Sequence, residues 1–466
     1  MGMDDGLTGR VVRPGDADYG RERLDYNLAI EDRYPRLIVG CDGVRDVQNA
    51  VRFAGRSGLP LRARSGRHSY EAYSVVDGGI VVDVSAMAGV ALGPDGTARI
   101  GAGANLGTVY RSLWDQGHRA VAGGTCGGVG IAGLTLGGGF GLLGRRHGLT
   151  CDRLTALEMV DAGGRVVRAD DRSAPDLMWA SRGGGGGNFG VVTALEFATV
   201  PVAEVCVFRI LWPWDALGEA FDAYQRWADP ETLDRRLSPV MNLKARRVGN
   251  VAAFGQFLGP LEDLTALVAP LLRAVRPLEA EFRRMSFIQA VDHFGGAAPG
   301  EKRWAIHSAA ETGERFKNTS AYQHRLFPAE AIRRLRDHLA DSPSAACLVQ
   351  VDTYGGAIRD LSDTATAFPH RQGVRAVLQP QAYWDTRGQA SAHRAWVESL
   401  RQALEPYTRG GYINYIDRAV GAWPRFYYGA NLARLVAIKR RYDPDDLFEG
   451  PQSLGRLTAA GQDPDG

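Results

Sequence analysis

The sequence predicts an α+β protein of two domains, the first built around glycine-rich loops and the second an antiparallel sheet backed by helices. Three observations predict it. The chain has 466 residues, too many for a single hydrophobic core. Its 59 glycines are unevenly placed, with residues 123–148 and 183–190 far richer in them than the remainder. The texture also changes near residue 205, from short strands broken by glycine loops to longer strands alternating with longer helices.

In the first domain, Val44, Val47, Val51 and Phe53 recur at helical spacing and predict a helix over 44–57. A short strand over 59–63 leads into the loop 64–69. The β-branched run 79–84 predicts a buried strand, and 99–103 another that enters a capped helix over 105–116. Residues 154–160 and 165–169 flank Asp161, Ala162, Gly163 and Gly164, a hairpin turn by composition. A further strand spans 191–197. In the second domain, strands at 205–211, 251–258, 348–354 and 375–383 alternate with helices at 214–227, 261–275 and 328–339.

Composition narrows the function. The chain is 45% hydrophobic and 23% charged, with a formal net charge of +2. Such a balance gives no electrostatic reason to bind nucleic acid or a membrane surface, so a small molecule is the expected partner. The N-terminus has no apolar signal core, and no apolar run is long enough to span a bilayer. A cytoplasmic monomer or homodimer is expected. Cys41, Cys126, Cys151, Cys206 and Cys347 are odd in number and widely spaced, so neither a disulfide framework nor a metal site is predicted. Four of them read as buried thiols.

Gly128, Gly130 and Gly133 match the spacing of a dinucleotide fingerprint. That fingerprint needs a strand directly before it, and residues 122–127 cannot form one. Two loops are more informative. The first holds Arg64, Ser65, Gly66, Arg67, His68 and Ser69; the second holds Gly124, Thr125, Cys126, Gly127, Val129 and Gly130, and continues to Gly137, Gly138, Gly139, Phe140 and Gly141. Small residues and open backbone amides suit a pyrophosphate. One loop offers an imidazole and the other a thiol, the two nucleophiles that can bond to an isoalloxazine. By composition alone, His68 also fits a hydrogen-bonded surface residue and Cys126 an inert thiol.

The order of these motifs resembles the berberine bridge enzyme-like FAD-linked oxidases of the vanillyl-alcohol-oxidase (PCMH-type) flavin fold. The resemblance also rests on residues 82–87, 145–149, 185–193, 367–371, 412–415 and 427–448, nearly the whole chain. It implies FAD bonded through its 8-methyl carbon to His68 and through C6 to Cys126. It implies further flavin contacts at Gly133, Leu136, Asn188, Gly190, Val191, Val192, Tyr412 and Asn414. It divides the chain into an extension (1–33), the FAD-binding domain (34–204), the substrate domain (205–410), a segment returning to the FAD domain (411–457) and a flexible tail (458–466). Two tethers would hold the ring in an open site and make it more oxidising.

The chain departs from the family pattern at three places. Arg67 replaces a usual glycine, so its side chain is expected near the phosphates or in solvent. Phe140 replaces a tyrosine of several sugar oxidases, and Ile416 interrupts the usual motif after Asn414 and Tyr415.

The resemblance implies an oxidase that removes hydride from an alcohol carbon of a sugar, a glycoside or a natural-product intermediate. Dioxygen would reoxidise the flavin to give hydrogen peroxide; oxidative cyclisation and dehydrogenation are the alternatives. It places Tyr415 over the flavin as the base. A free phenol has a pKa of about 10, so a cation is expected beside it, either Lys317 or Arg371. Gln379, Gln381 and Tyr383 share one strand face, which is either a polar substrate pocket or a solvent-facing edge. Asn318, Thr319 and Ser320 match a glycosylation sequon, expected to be inert without export.

Overall fold

A computed structural model describes residues 6–295 and 313–457; the tail at 458–466 lies outside them. In chain order the first strands are β1 (Arg10–Val12), β2 (Leu37–Gly40), β3 (Leu61–Arg64), β4 (Ile80–Asp83), β5 (Val90–Leu92) and β6 (Thr97–Gly101). β7 (Arg119–Ala120), β8 (Leu154–Val160), β9 (Val166–Asp170), β10 (Val191–Ala198) and β11 (Val200–Pro201) follow.

A four-stranded sheet runs in the order β1-β2-β4-β3, with β4 parallel to both β2 and β3. Parallel strands of one sheet need crossovers: the helix Val44–Ser57 carries the chain from β2 past the place of β4 to β3, burying Val47, Ala50, Val51, Phe53 and Ala54 as its periodicity predicts. The second sheet is antiparallel, in the order β5-β6-β10-β8-β9. Its β8–β9 hairpin turns where Gly164 adopts φ +72° and donates its N–H to the Asp161 carbonyl. The helix Leu106–Gly117 starts at Asn105, whose side chain accepts from the Thr108 amide, a capping geometry that asparagine favours. β7 pairs with β11 alone.

The rest of the chain builds a nine-stranded antiparallel sheet. Its strands are β12 (Glu204–Pro213), β13 (Leu237–Lys244), β14 (Asn250–Phe257), β15 (Glu279–Ser286), β16 (Arg315–Asn318), β17 (Ala321–Gln323), β18 (Cys347–Thr353), β19 (Ala376–Trp384) and β20 (Thr408–Arg409). The order is β15-β12-β14-β13-β18-β19-β17-β20, with β16 beside the far half of β19. One face, through Met241, Leu243, Val349, Val351, Leu378 and Ala382, packs on the helices Leu217–Trp227, Ala329–Ala340 and Ala390–Leu404. The opposite face carries Asn242, Gln350, Asp352, Gln379, Gln381 and Tyr383 and turns toward the first domain. The C-terminal residues Ile413, Trp423, Tyr427 and Leu435 join the hydrophobic core of the first domain.

Candidate active site

A cavity of about 680 Å³ lies between the polar face of the nine-stranded sheet and the glycine loops, a size usual for a ligand site. The loops meet closely: a Cβ on Gly66 would fall 2.2 Å from the Gly130 nitrogen, so no side chain fits there. A Cβ on Gly128 would lie 3.1 Å from His68 Nε2, which brings the cysteine loop against the imidazole. Burial holds the half-buried imidazole down to about 4, and hence neutral. Cys126 opens onto the cavity and is the one exposed thiol of the five. Protein around it pushes that thiol up.

Most of the residues expected to hold the cofactor line this cavity. They include Arg64, Ser65, Gly66, Arg67, Ser69, Gly124, Thr125, Val129, Gly130, Gly133, Leu136, Phe140 and Gly141. Asn188, Gly190, Val191, Val192, Tyr412 and Asn414 line it as well. Four expected glycines sit off the wall. The Gly127 carbonyl accepts from the Gly107 amide. Gly137, Gly138 and Gly139 are close-packed: a Cβ there would reach within 2.0 Å of Asn414 Oδ1, 2.7 Å of Phe368 and 2.3 Å of Thr150 Oγ1 respectively. They let the loop press against the C-terminal segment, where Tyr412 Oη accepts from the Gly139 amide and from Asn414 Nδ2.

Of the two places expected for Arg67, open solvent is not the one found: the residue lines the cavity, and its Nη2 lies 2.7 Å from Glu22 and 3.0 Å from Asp83. The backbone there has φ +59°, a conformation that favours glycine. The ion pairs hold an arginine in it.

Tyr415 lies beneath Tyr70 with the rings parallel at 5.4 Å, and edge-on to Tyr412 at 4.9 Å. Phe140 packs against Tyr354, Tyr412 and Tyr415. Burial first, then neighbouring phenols and Asp352, push the Tyr415 phenol well above its usual range. Neither expected cation serves it. Lys317 pairs with Glu71 and Asp417, and Arg371 forks onto Asp152. Both are claimed by buried carboxylates because an unpaired buried charge is expensive.

A second titratable group on the cavity wall is Asp352, absent from the sequence reading. Its carboxyl is buried, accepts 3.1 and 3.0 Å hydrogen bonds from Gln350 Nε2, and is raised to about 7 by burial. A carboxylate poised near neutral pH in a cavity is suited to proton transfer. The alternation of apolar and polar residues in Leu348, Val349, Gln350, Val351 and Asp352 is the signal that could have found it. Gln379 and Gln381 are buried and Tyr383 half-buried. They form a chain on the cavity side: Tyr383 Oη donates to Gln381, Gln381 to Gln379, and Gln379 to Tyr70 Oη. This strand face lines the cavity and is not a solvent-facing edge.

The cavity fits a dinucleotide flavin. Arg64 lines it with Nη1 buried and unpartnered. A Cβ on Gly133 or Gly187 would meet nothing within 4 Å, so the glycines leave room along the wall. Among the described residues no cluster of His, Cys, Asp and Glu could hold a metal ion, and no helix is long and apolar enough to cross a membrane.

A two-domain fold with glycine loops facing a polar sheet across one cavity defines a flavin-dependent oxidoreductase. Residues 35–170 match the FAD binding domain family and residues 411–455 the berberine and berberine like family. An FAD-linked oxidoreductase of Bacillus subtilis, YgaK, is 39% identical over 97% of this chain and 98% of its own. A chitooligosaccharide oxidase of Gibberella zeae is 29% identical, with 94% and 91% covered. The structure of Physcomitrella patens BBE-like 1 superposes with a TM-score of 0.89 at 29% identity, covering 97% of this chain and 98% of that one. The chain belongs to the berberine bridge enzyme-like FAD-linked oxidoreductases.

Proposed function

We propose that the protein carries FAD bonded to His68 and Cys126 and oxidises an alcohol carbon of a sugar, a glycoside or a natural-product intermediate. Dioxygen takes the electrons and leaves as hydrogen peroxide. The observation that carries this reading is that the imidazole and the thiol share one cavity with a raised carboxyl, Asp352, and a buried phenol, Tyr415. The name of the chitooligosaccharide oxidase supports a hydroxyl-rich substrate, as does a wall of neutral amides, each offering donors and acceptors.

When bound, the flavin supplies a hydride acceptor. The protein's own groups handle the proton and the orientation. Gln381 and Tyr383 hydrogen-bond the substrate from the sheet. Tyr415 contacts the reacting hydroxyl, and the proton ends on Asp352, whose pKa near neutrality lets it take a proton and release it again. Phe140 offers no hydrogen bond, so recognition falls to the sheet side.

The test has two parts. Acid-precipitated protein should stay yellow, and peptides bearing His68 and Cys126 should both carry flavin mass. A panel of mono- and oligosaccharides and glycosides should then produce peroxide with at least one member. Unmodified peptides from fully loaded protein would remove the two bonds from the proposal. Flavin reduction by substrate that yields no peroxide in air would make the enzyme a dehydrogenase, and a ring-closed product would make it an oxidative cyclase.

A further inference from the structure

The segment between β1 and β2 reaches the flavin loop. The Tyr26 ring stacks on the His68 imidazole, with centroids 4.3 Å apart and planes at 20°. The Tyr26 amide donates to the Arg67 carbonyl at 2.8 Å, immediately before the histidine. Substrate-sheet residues fix the segment from the other side. Tyr26 Oη donates to Glu314 Oε2 at 3.0 Å, the Glu314 amide to the Tyr26 carbonyl at 3.1 Å, and the Leu28 amide to the Glu314 carbonyl at 2.9 Å. Asn27 Nδ2 spans the Tyr70 and Phe316 carbonyls. No hydrogen bond to either imidazole nitrogen of His68 occurs among the described residues, and burial is what acts on the ring electrostatically.

We propose that Tyr26 is a positioning residue for flavin attachment, holding the plane of the His68 imidazole by stacking while leaving its nitrogens free to bond. This rests on the reading that His68 is a flavin attachment point. Rotation of a histidine about its second side-chain torsion is soft, and a ring without hydrogen bonds needs another restraint. A hydrogen bond donated to the reacting nitrogen would occupy the lone pair that must form the bond; a stacked ring restrains the plane and leaves that lone pair available. Attachment joins an imidazole nitrogen to the methyl carbon of the flavin ring. One C–H and one N–H bond are lost, and the two protons and two electrons stay on the flavin as its reduced form. Dioxygen then accepts them and leaves as hydrogen peroxide. Because Tyr26 is itself held by the substrate sheet, the histidine is presented only once both domains have docked.

The experiment compares full-length wild type with Tyr26→Phe and Tyr26→Leu, each expressed with its flavin, by mass spectrometry of the peptides bearing His68 and Cys126. Phenylalanine keeps the stack and should carry flavin on His68 as wild type does. Leucine should lower the His68 adduct at least tenfold while flavin stays on Cys126, with the visible spectrum shifted to that of a singly tethered ring. If the leucine variant does not fold, Tyr26→Met carries the same comparison against phenylalanine. A full His68 adduct without an aromatic ring at position 26 overturns the proposal alone. So does loss of the adduct in Tyr26→Phe, which would assign the role to the hydroxyl. A wild-type His68 peptide without flavin overturns both this proposal and the attachment reading beneath it.

Discussion

Replacing Asp352 by asparagine keeps the size of the side chain and removes its titration. Burial raises this carboxyl from 3.8 to about 7. If the carboxylate is the active form, about half of the wild-type molecules carry it at about pH 7 and about 1 in 100 at about pH 5. Wild-type kcat/KM should therefore rise about tenfold per pH unit up to about pH 7 and then level. Asp352→Asn should lose on the order of 10²–10⁴-fold on the plateau and lose that rising limb, because an amide cannot accept the proton. Steady-state kinetics by peroxide release between about pH 5 and about pH 9 measures both. The same shift has a stability consequence. The folded protein holds this proton more tightly than the unfolded chain, so the contribution is complete below the unfolded pKa and is lost as pH rises through about 7. The asparagine variant should therefore melt with a flatter pH dependence over that window. An asparagine variant with wild-type kcat/KM and an unchanged limb would refute the reasoning and return the proton to another group.

Three further outcomes follow from named contacts. Tyr415→Phe preserves the stack on Tyr70 and should lower kcat by roughly 10²-fold or more with a smaller effect on KM; unchanged turnover removes Tyr415 from the proton path. Arg67→Gly relieves about 1–2 kcal/mol of left-handed backbone strain but breaks the contacts to Glu22 and Asp83. It should cost a net of about 1–3 kcal/mol, read as a lower urea midpoint; a raised midpoint would show that the strain outweighs the ion pairs. Lys317→Met leaves Asp417 buried without its cation, while Arg418 still holds Glu71. The expected loss is about 3 kcal/mol, and a variant that melts with wild type would show that the buried carboxylate is satisfied by other means.

Much of the fold was legible because it depends on local periodicity. The helix Val44–Ser57 agrees with its predicted span, since its buried positions recur at the helical period. The β8–β9 hairpin follows from turn residues whose conformational freedom is local. Strands β13 and β15 were missed. β15 is an edge strand with most of its residues partly or fully exposed, so it shows no apolar run to read. β16 reads Arg315, Phe316, Lys317 and Asn318, with no apolar or β-branched run to mark a strand, and β17 has only three residues.

The site divides along the same line. The sequence alone determined which residues could serve chemistry at the glycine loops: an imidazole at His68, a thiol at Cys126 and small residues around them. Motifs contiguous in the chain carry that information. Only the tertiary structure decided how the groups are tuned and held. Asp352 is an ordinary carboxyl until the sheet buries it, and desolvation then raises its titration to about 7. Lys317 and Arg371 are cations that any nearby group could use until the fold commits them to Asp417, Glu71 and Asp152. Tyr26 meets His68 only because the substrate sheet grips the N-terminal segment. Protonation and orientation arise from through-space burial and contact, whose range follows packing distance and not separation along the chain.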